Sequence, residues 1–230
     1  MKNNNKFRLD VWGAITLGTI ALYALFLLYP MAYLIRQSVL DPDTGSFTLA
    51  YFTKFFSKSY YFETLINSFK VSITATVLSI AIGTPLAYLF TIFKIKGKSV
   101  LNILIVVASM SAPFIGAYSW ILLLGRSGVI TAFFKNLGIA IPDIYGFGGI
   151  VLVMTLQLFP LVFLYAKGAL KNIDNSLIEA AENLGCSGIA CFFKVVVPLI
   201  MPTLLAAALL VFMRSFADFG TPMLIGEGYR

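Results

Sequence analysis

The sequence predicts an all-α, polytopic transmembrane helix bundle of about five spans, and three observations predict it. Apolar residues make up 59% of the chain and charged residues 12%, with a mean hydropathy of +0.90. The polar residues are too few to build a water-facing shell. Uncharged runs recur that can cross ~30 Å of hydrocarbon, which takes about 20 residues of helix. Backbone groups must be satisfied inside a bilayer, so these runs are helices. Lys and Arg are also unevenly placed. Segments 1–10, 94–98 and 167–194 hold nine in 43 residues, while 36–64, 125–148 and 217–230 hold six in 67. The denser group belongs on the cytoplasmic side under the positive-inside rule, which sets the N-terminus there. The net charge of +7 follows from topology and implies no nucleic acid.

Met1 to Asp10 is short and basic, and Val11 to Ile35 follows without a charge. That run exceeds a signal peptide's apolar core and lacks a small-residue cleavage site, so it reads as an uncleaved first span. Arg36 to Thr64 is an aromatic-rich loop in which Phe52, Phe55 and Phe56 share a helical face. It suits either an interfacial segment or a short helix packed on the spans. Leu65 to Phe93 is the second span, interrupted late by Gly83 and Pro85, and Lys94, Lys96 and Lys98 form a basic turn. Val100 to Leu124 is the third span, with Pro113 at its middle. Its stripe of Ala108, Ala112 and Gly116 allows close helix approach. Gly125 to Gly148 is an outer loop with a short helix expected around Ile130 to Leu137. Gly149 to Ala166 is the fourth span, Val195 to Phe216 the fifth, and Ala217 to Arg230 ends the sequence outside. Residues 1–230 read as a single transmembrane domain, with 171–198 as a cytoplasmic loop within it.

That loop carries the most informative pattern. Ser176 and Glu179 have capping-box spacing, which predicts a short helix from Leu177. Gly185 sits where a C′ glycine turns the chain at positive φ, and Ser187 is placed to cap a second short helix running toward Pro198. Cys186 and Cys191 fall in the same loop. With no histidine anywhere, they make no credible metal site and are expected as reduced thiols.

Glu179-Ala180-Ala181, three residues, Gly185, nine residues, then Val195-x-Val197-Pro198 resembles the EAA loop of binding-protein-dependent ABC importer permeases. The family has Ile and Leu where this chain has Val195 and Val197. The resemblance covers roughly Asn67 to Gly226 and implies a coupling role for Glu179, Ala180, Ala181 and Gly185 against an ABC ATPase subunit. It further implies an extracytoplasmic solute-binding protein, a second permease domain (fused or separate), and a place in the bacterial inner membrane among its lipids.

Two further runs, Arg214 to Gly226 and Ala117 to Gly128, look like iron(III)-type permeases. They imply ferric iron as the solute, with thiamine, polyamine and phosphonate permeases as alternatives. Arg214 and Asp218 are spaced for an i,i+4 ion pair, either an interfacial anchor or an outer gate. Pro85, Pro113 and Pro160 each free a backbone carbonyl, as kinks or as breaks lining a path. Gln157, one turn before Pro160, suits either pathway lining or an interhelical hydrogen bond.

Nothing supports catalysis: there is no His, no Gly-x-x-x-x-Gly-Lys phosphate loop and no nucleophile–base constellation. No cofactor is expected, and ATP hydrolysis is assigned by the resemblance to a separate subunit. A secondary transporter needs ion-coupling carboxylates inside its spans, and none lies in their central parts. A non-transporting scaffold would bind no ATPase. Five spans leave the end of the sequence outside, so the natural chain is expected to continue past Arg230.

Overall fold

The computed structural model describes residues 11–41, 44–93, 96–110, 112–139, 142–186 and 188–226. The predicted cap Ser187, the basic segment 1–10, Lys94 and the final four residues lie outside them. No strand occurs among the described residues, and the all-α expectation holds. The chain divides into two units, one ending at Glu63 and one beginning at Thr64.

In the first unit α1 spans Val11–Val39 and α2 spans Ala50–Ser57. α1 outlasts the predicted Ile35 because hydropathy marks only the apolar part of a helix. A π-helical turn occupies Ala24–Leu28, where the Tyr29 N–H reaches back to the Ala24 carbonyl. The next residue is Pro30, which has no N–H to give and crowds the carbonyl four residues back, so the turn widens. α2 is the aromatic segment: Phe55 stacks on Tyr61 with ring centroids 5.4 Å apart.

The second unit continues α3, Ser59–Ile92, and adds α4 (Lys98–Ser109), α5 (Pro113–Leu124), α6 (Val129–Asn136) and α7 (Phe147–Lys171). It ends with α8 (Asn175–Asn183), α9 (Gly188–Phe216) and α10 (Gly220–Ile225). α9 carries a second π-helical turn at Phe192–Val196, again just ahead of a proline, Pro198.

Two clusters hold this unit together. Ala87 and Phe90 of α3 meet Val162, Phe163 and Ala166 of α7 and Phe192, Val196 and Ile200 of α9. Val71 and Ala75 of α3 meet Ala117 of α5, Ile150 and Met154 of α7 and Ile225 of α10. At Gly83 the seam between α3 and α7 leaves no room for a side chain. A Cβ there would lie 2.8 Å from Val162 Cβ and 2.9 Å from the Phe159 carbonyl oxygen.

Five stretches are long and apolar enough to cross a membrane: Val11–Val39, Ser59–Ile92, Pro113–Asn136, Phe147–Lys171 and Gly188–Phe216. The third departs from expectation. Val100 to Leu124 is not one span, because the helix stops at Ser109 and restarts at Pro113. Ala112 is extended, at φ −69° and ψ 140°, as the residue before a proline tends to be. Ala108, Ala112 and Gly116 therefore form no continuous helical stripe. The third stretch is itself two helices, α5 and α6, joined by a turn at Gly125–Gly128.

Candidate functional site

The loop after α7 folds as a corner seated on the bundle. Ile173 and Ile178 pack against the cluster of Phe90, Phe163 and Phe192, and the Phe192 ring lies 4.6 Å from that of Tyr88. α8 begins two residues earlier than predicted. The Ser176 N–H donates to Asp174 Oδ1 at 3.0 Å, and the Leu177 N–H to the Asp174 carbonyl at 3.1 Å. Asp174 is the cap, and Ser176 lies inside the first turn. The predicted capping box between Ser176 and Glu179 does not form, because a carboxylate two positions upstream takes the free amide first. Donation from Ser176 holds the Asp174 carboxyl below its ordinary value.

α8 ends as predicted. Gly185 has φ +86°, and the Cys186 N–H closes back on the Ala181 carbonyl at 3.0 Å, the wide bond of a Schellman motif. Gly188 also has positive φ, +43°, a second bend that the sequence reading missed. With its inner face anchored, the corner turns Glu179, Ala180 and Gly185 outward and leaves Ala181 half-buried. Leu184 is 89% exposed and Ile189 78%, beside exposed Leu177 and Phe193. In Val195-x-Val197-Pro198 the fully buried residue is the unmatched one, Val196. Cys186 is half-buried and Cys191 only 1% exposed.

The remaining candidates lie outside the corner, on α7 and at the far end of α9. Gln157 Nε2 donates to the Pro113 carbonyl at 3.2 Å, tying α7 to the first turn of α5. A Cβ on Gly116 would run into this amide. Pro160 is buried within α7, and its neighbour Phe159 offers the carbonyl that Gly83 approaches.

Arg214 and Asp218 form no ion pair, correcting the i,i+4 expectation. The i,i+4 spacing fails here because α9 ends at Phe216, with Ala217 as its C-cap, so the carboxylate has left the helical register. Asp218 instead accepts from the Gly220 N–H at 2.8 Å and the Thr221 N–H at 3.2 Å. Its other oxygen accepts from Thr221 Oγ1 at 2.6 Å. It fastens the start of α10, and Arg214 stays exposed. The corner and Asp218 stand at opposite ends of α9, roughly 40 Å apart at 1.5 Å per residue.

Two polar links had no signal in the sequence. Arg126 Nε lies 3.2 Å from Asp143 Oδ2, and its guanidinium 4.9 Å from the centre of the Tyr145 ring. Lys167 Nζ donates to Asn102 Oδ1, joining α7 to α4.

The family model of the binding-protein-dependent transport system inner membrane component matches residues 68–230. The chain belongs to that family. This places it among inner-membrane permeases of ABC importers and bears out the resemblance carried by the corner.

A ferric transport system permease of Actinobacillus pleuropneumoniae is 28% identical over 232 residues, covering 100% of this chain and 33% of that protein. A spermidine/putrescine transport system permease of Haemophilus influenzae is 28% identical over 232 residues, covering 97% and 79%. The chain thus spans about a third of the length of its ferric relatives. A crystal structure of a bacterial ABC transporter that imports the polysaccharide alginate shares the fold. Its TM-score is 0.69 at 18% identity, covering 94% of this chain and 77% of that one.

Proposed function

We propose that this permease is the membrane subunit of an ATP-driven importer, passing a solute from an extracytoplasmic binding protein to the cytoplasm. Glu179, Ala180, Ala181 and Gly185 present its coupling face to a separate ATPase subunit. The observation that carries this reading is the corner itself: anchored inside by Ile173 and Ile178, it holds an outward surface mixing Glu179 with exposed Leu177, Leu184 and Ile189. Apolar side chains displayed on a rigid support suit a partner rather than water. The permease does no chemistry. Its two conformations are biased by what docks on the corner. The N-terminus and the corner both face the cytoplasm, and a second permease domain completes the pathway.

Ferric iron is the proposed solute, on the runs Arg214 to Gly226 and Ala117 to Gly128 and on the ferric relative. The polyamine reading is favoured by the relative of more similar length. Both runs also have structural duties, at the α10 start and the Gly125–Gly128 turn. Uptake must therefore decide, by comparing labelled ferric iron and labelled spermidine in cells with and without the complete gene.

The coupling role is tested by co-purifying the ATPase with Glu179→Ala. Glu179 closes no capping box and is exposed, so the variant should reach the membrane at normal levels and lose ATPase and uptake together. Undiminished ATPase recovery would remove Glu179 from the coupling face.

A further inference from the structure

Positive charge collects at one end of the α4–α7 pair. Lys167, in the last turns of α7, donates to Asn102 of α4, and its ammonium lies 5.4 Å from the centre of the Phe163 ring. These contacts hold one half-buried amine in place between two helices. Lys98 begins α4 one turn before Asn102, and Lys171 ends α7 one turn after Lys167, so both stand on the helix faces that the Lys167–Asn102 contact brings together. Among the described residues the ion pair present is Arg126–Asp143, so no carboxylate is paired with this trio. Like charges held together repel, and an anion between them relieves that repulsion.

The surroundings indicate which anion. α4 has no buried residue. Asn102, Ile105 and Val106 are half-buried, while Val100, Leu101, Leu104 and Val107 are exposed. A ligand lying along this helix meets ammonium groups at one end and hydrocarbon along the rest. We propose that Lys98, Lys167 and Lys171 form a headgroup site for an anionic phospholipid. The phosphate sits among the amines and an acyl chain runs along the apolar side of α4. Basic pockets between membrane helices hold phosphate-bearing headgroups on the same physics. The fixed amine of Lys167 makes this a localised site, distinct from the general attraction of loose surface lysines. The inference needs the membrane placement alone and is independent of the solute and of the coupling role.

The test uses the full chain reconstituted into nanodiscs of phosphatidylcholine with a minor fraction of phosphatidylglycerol. The protein is recovered in mild detergent, and retained lipid is identified by native mass spectrometry. The unaltered chain should retain phosphatidylglycerol over phosphatidylcholine. An amine near an anionic surface is worth about fivefold. The double variant Lys98→Gln/Lys171→Gln should therefore lose on the order of twentyfold in phosphatidylglycerol retention. Lys98→Arg/Lys171→Arg should keep it, and so should Lys135→Gln on α6. Lys167 is left intact so that the α4–α7 contact survives.

Equal retention of the two lipids, or undiminished retention in the double Gln variant, overturns the proposal. It is overturned too if the double variant keeps its lipid but releases the ATPase, since the amines would then serve an acidic protein surface. Displacement of the lipid by inorganic phosphate that itself binds through the same lysines would make free phosphate the ligand and end the lipid reading.

Discussion

Gly83, in the seam of α3 and α7, and Gly185, at the corner after α8, are both demanded by the structure, under opposite constraints. Gly83 is helical, and any L-residue fits its backbone. What it lacks is room, because a Cβ would press on Val162 and on the Phe159 backbone. Gly185 has open space around it, with nothing within 4 Å of a Cβ, but its φ of +86° suits few other residues. One glycine serves packing and the other serves a turn. The comparison separates the parts of the chain that make the bundle from the part proposed to face a partner.

The largest expected effect is at the seam. Gly83→Ala puts a methyl against backbone that cannot swing aside, and overpacking of this kind costs about 1–3 kcal/mol. Gly83→Val adds two more carbons and should exceed that range. Membrane levels and the thermal midpoint in detergent should fall for Ala and fall further for Val. If Gly83→Val accumulates and melts normally, the seam is looser than its geometry indicates, and the contrast with Gly185 disappears.

The two glycines also show what was legible in the sequence. Gly185 announced itself, since a glycine closing a polar, helix-forming stretch is a C′ signal that depends on neighbours alone. Gly83 was readable as an interruption but not as a contact, because its partners lie some 80 residues away in α7. The same divide runs through the fold. Uncharged runs revealed four of the long apolar stretches near their observed places. The break at Met110–Ala112 stayed hidden because hydropathy continues through it. Pro30 and Pro198 were visible, but the π-turns ahead of them were not inferred. In the candidate site the Ser176–Glu179 spacing matched a motif that Asp174 pre-empted. Arg214 and Asp218 matched a helical spacing across a helix end. Lys167 and Asn102, 65 residues apart, offered no local pattern.

Gly185→Val tests the other side of the comparison. The cost is conformational, about 1–3 kcal/mol for a residue held in a sparsely populated region, with no steric term added. A multi-span bundle should absorb that loss, so membrane levels and the thermal midpoint should stay near normal. ATPase co-purification and uptake should fail, because the corner no longer holds α8 and the start of α9 at one angle. Gly185→Asn should retain most function, since Asn tolerates the left-handed region. Loss of Gly185→Val from the membrane would assign the corner to folding rather than to docking.

A smaller effect sharpens the boundary between corner and bundle. Cys186 is half-buried just past Gly185, whereas Cys191, five residues on, is 1% exposed. The two are therefore not equivalent, although the sequence predicts both alike as reduced thiols. A membrane-impermeant maleimide should spare intact cells and label opened vesicles at Cys186. Cys186→Ser should remove most of that signal and Cys191→Ser little of it. Labelling in intact cells would reverse the proposed orientation, and equal labelling of the two cysteines would mean that the bundle opens at Phe192.

The smallest expected effect concerns the cap of α8. Asp174 accepts the Ser176 N–H, and its carboxyl is held below the ordinary carboxylate value, first by that amide and then by the Ser176 hydroxyl. Because the folded-state value is depressed, the stabilisation is present at neutral pH. It is lost as pH falls through the folded value, where the carboxylate is protonated. Asp174→Asn keeps a good cap and removes the titration, while Asp174→Ala removes the cap. The helix is seated by Ile173 and Ile178 in each case, so membrane levels should not change. Hydrogen exchange at the Ser176 amide should rise in Asp174→Ala, stay near the parent value in Asp174→Asn, and accelerate in the parent, relative to Asp174→Asn, as the carboxylate protonates. If Asp174→Ala leaves Ser176 protected and Ser176→Ala instead frays the helix, then Ser176 is the cap. The corner would then begin at Leu177, as the capping-box spacing predicts.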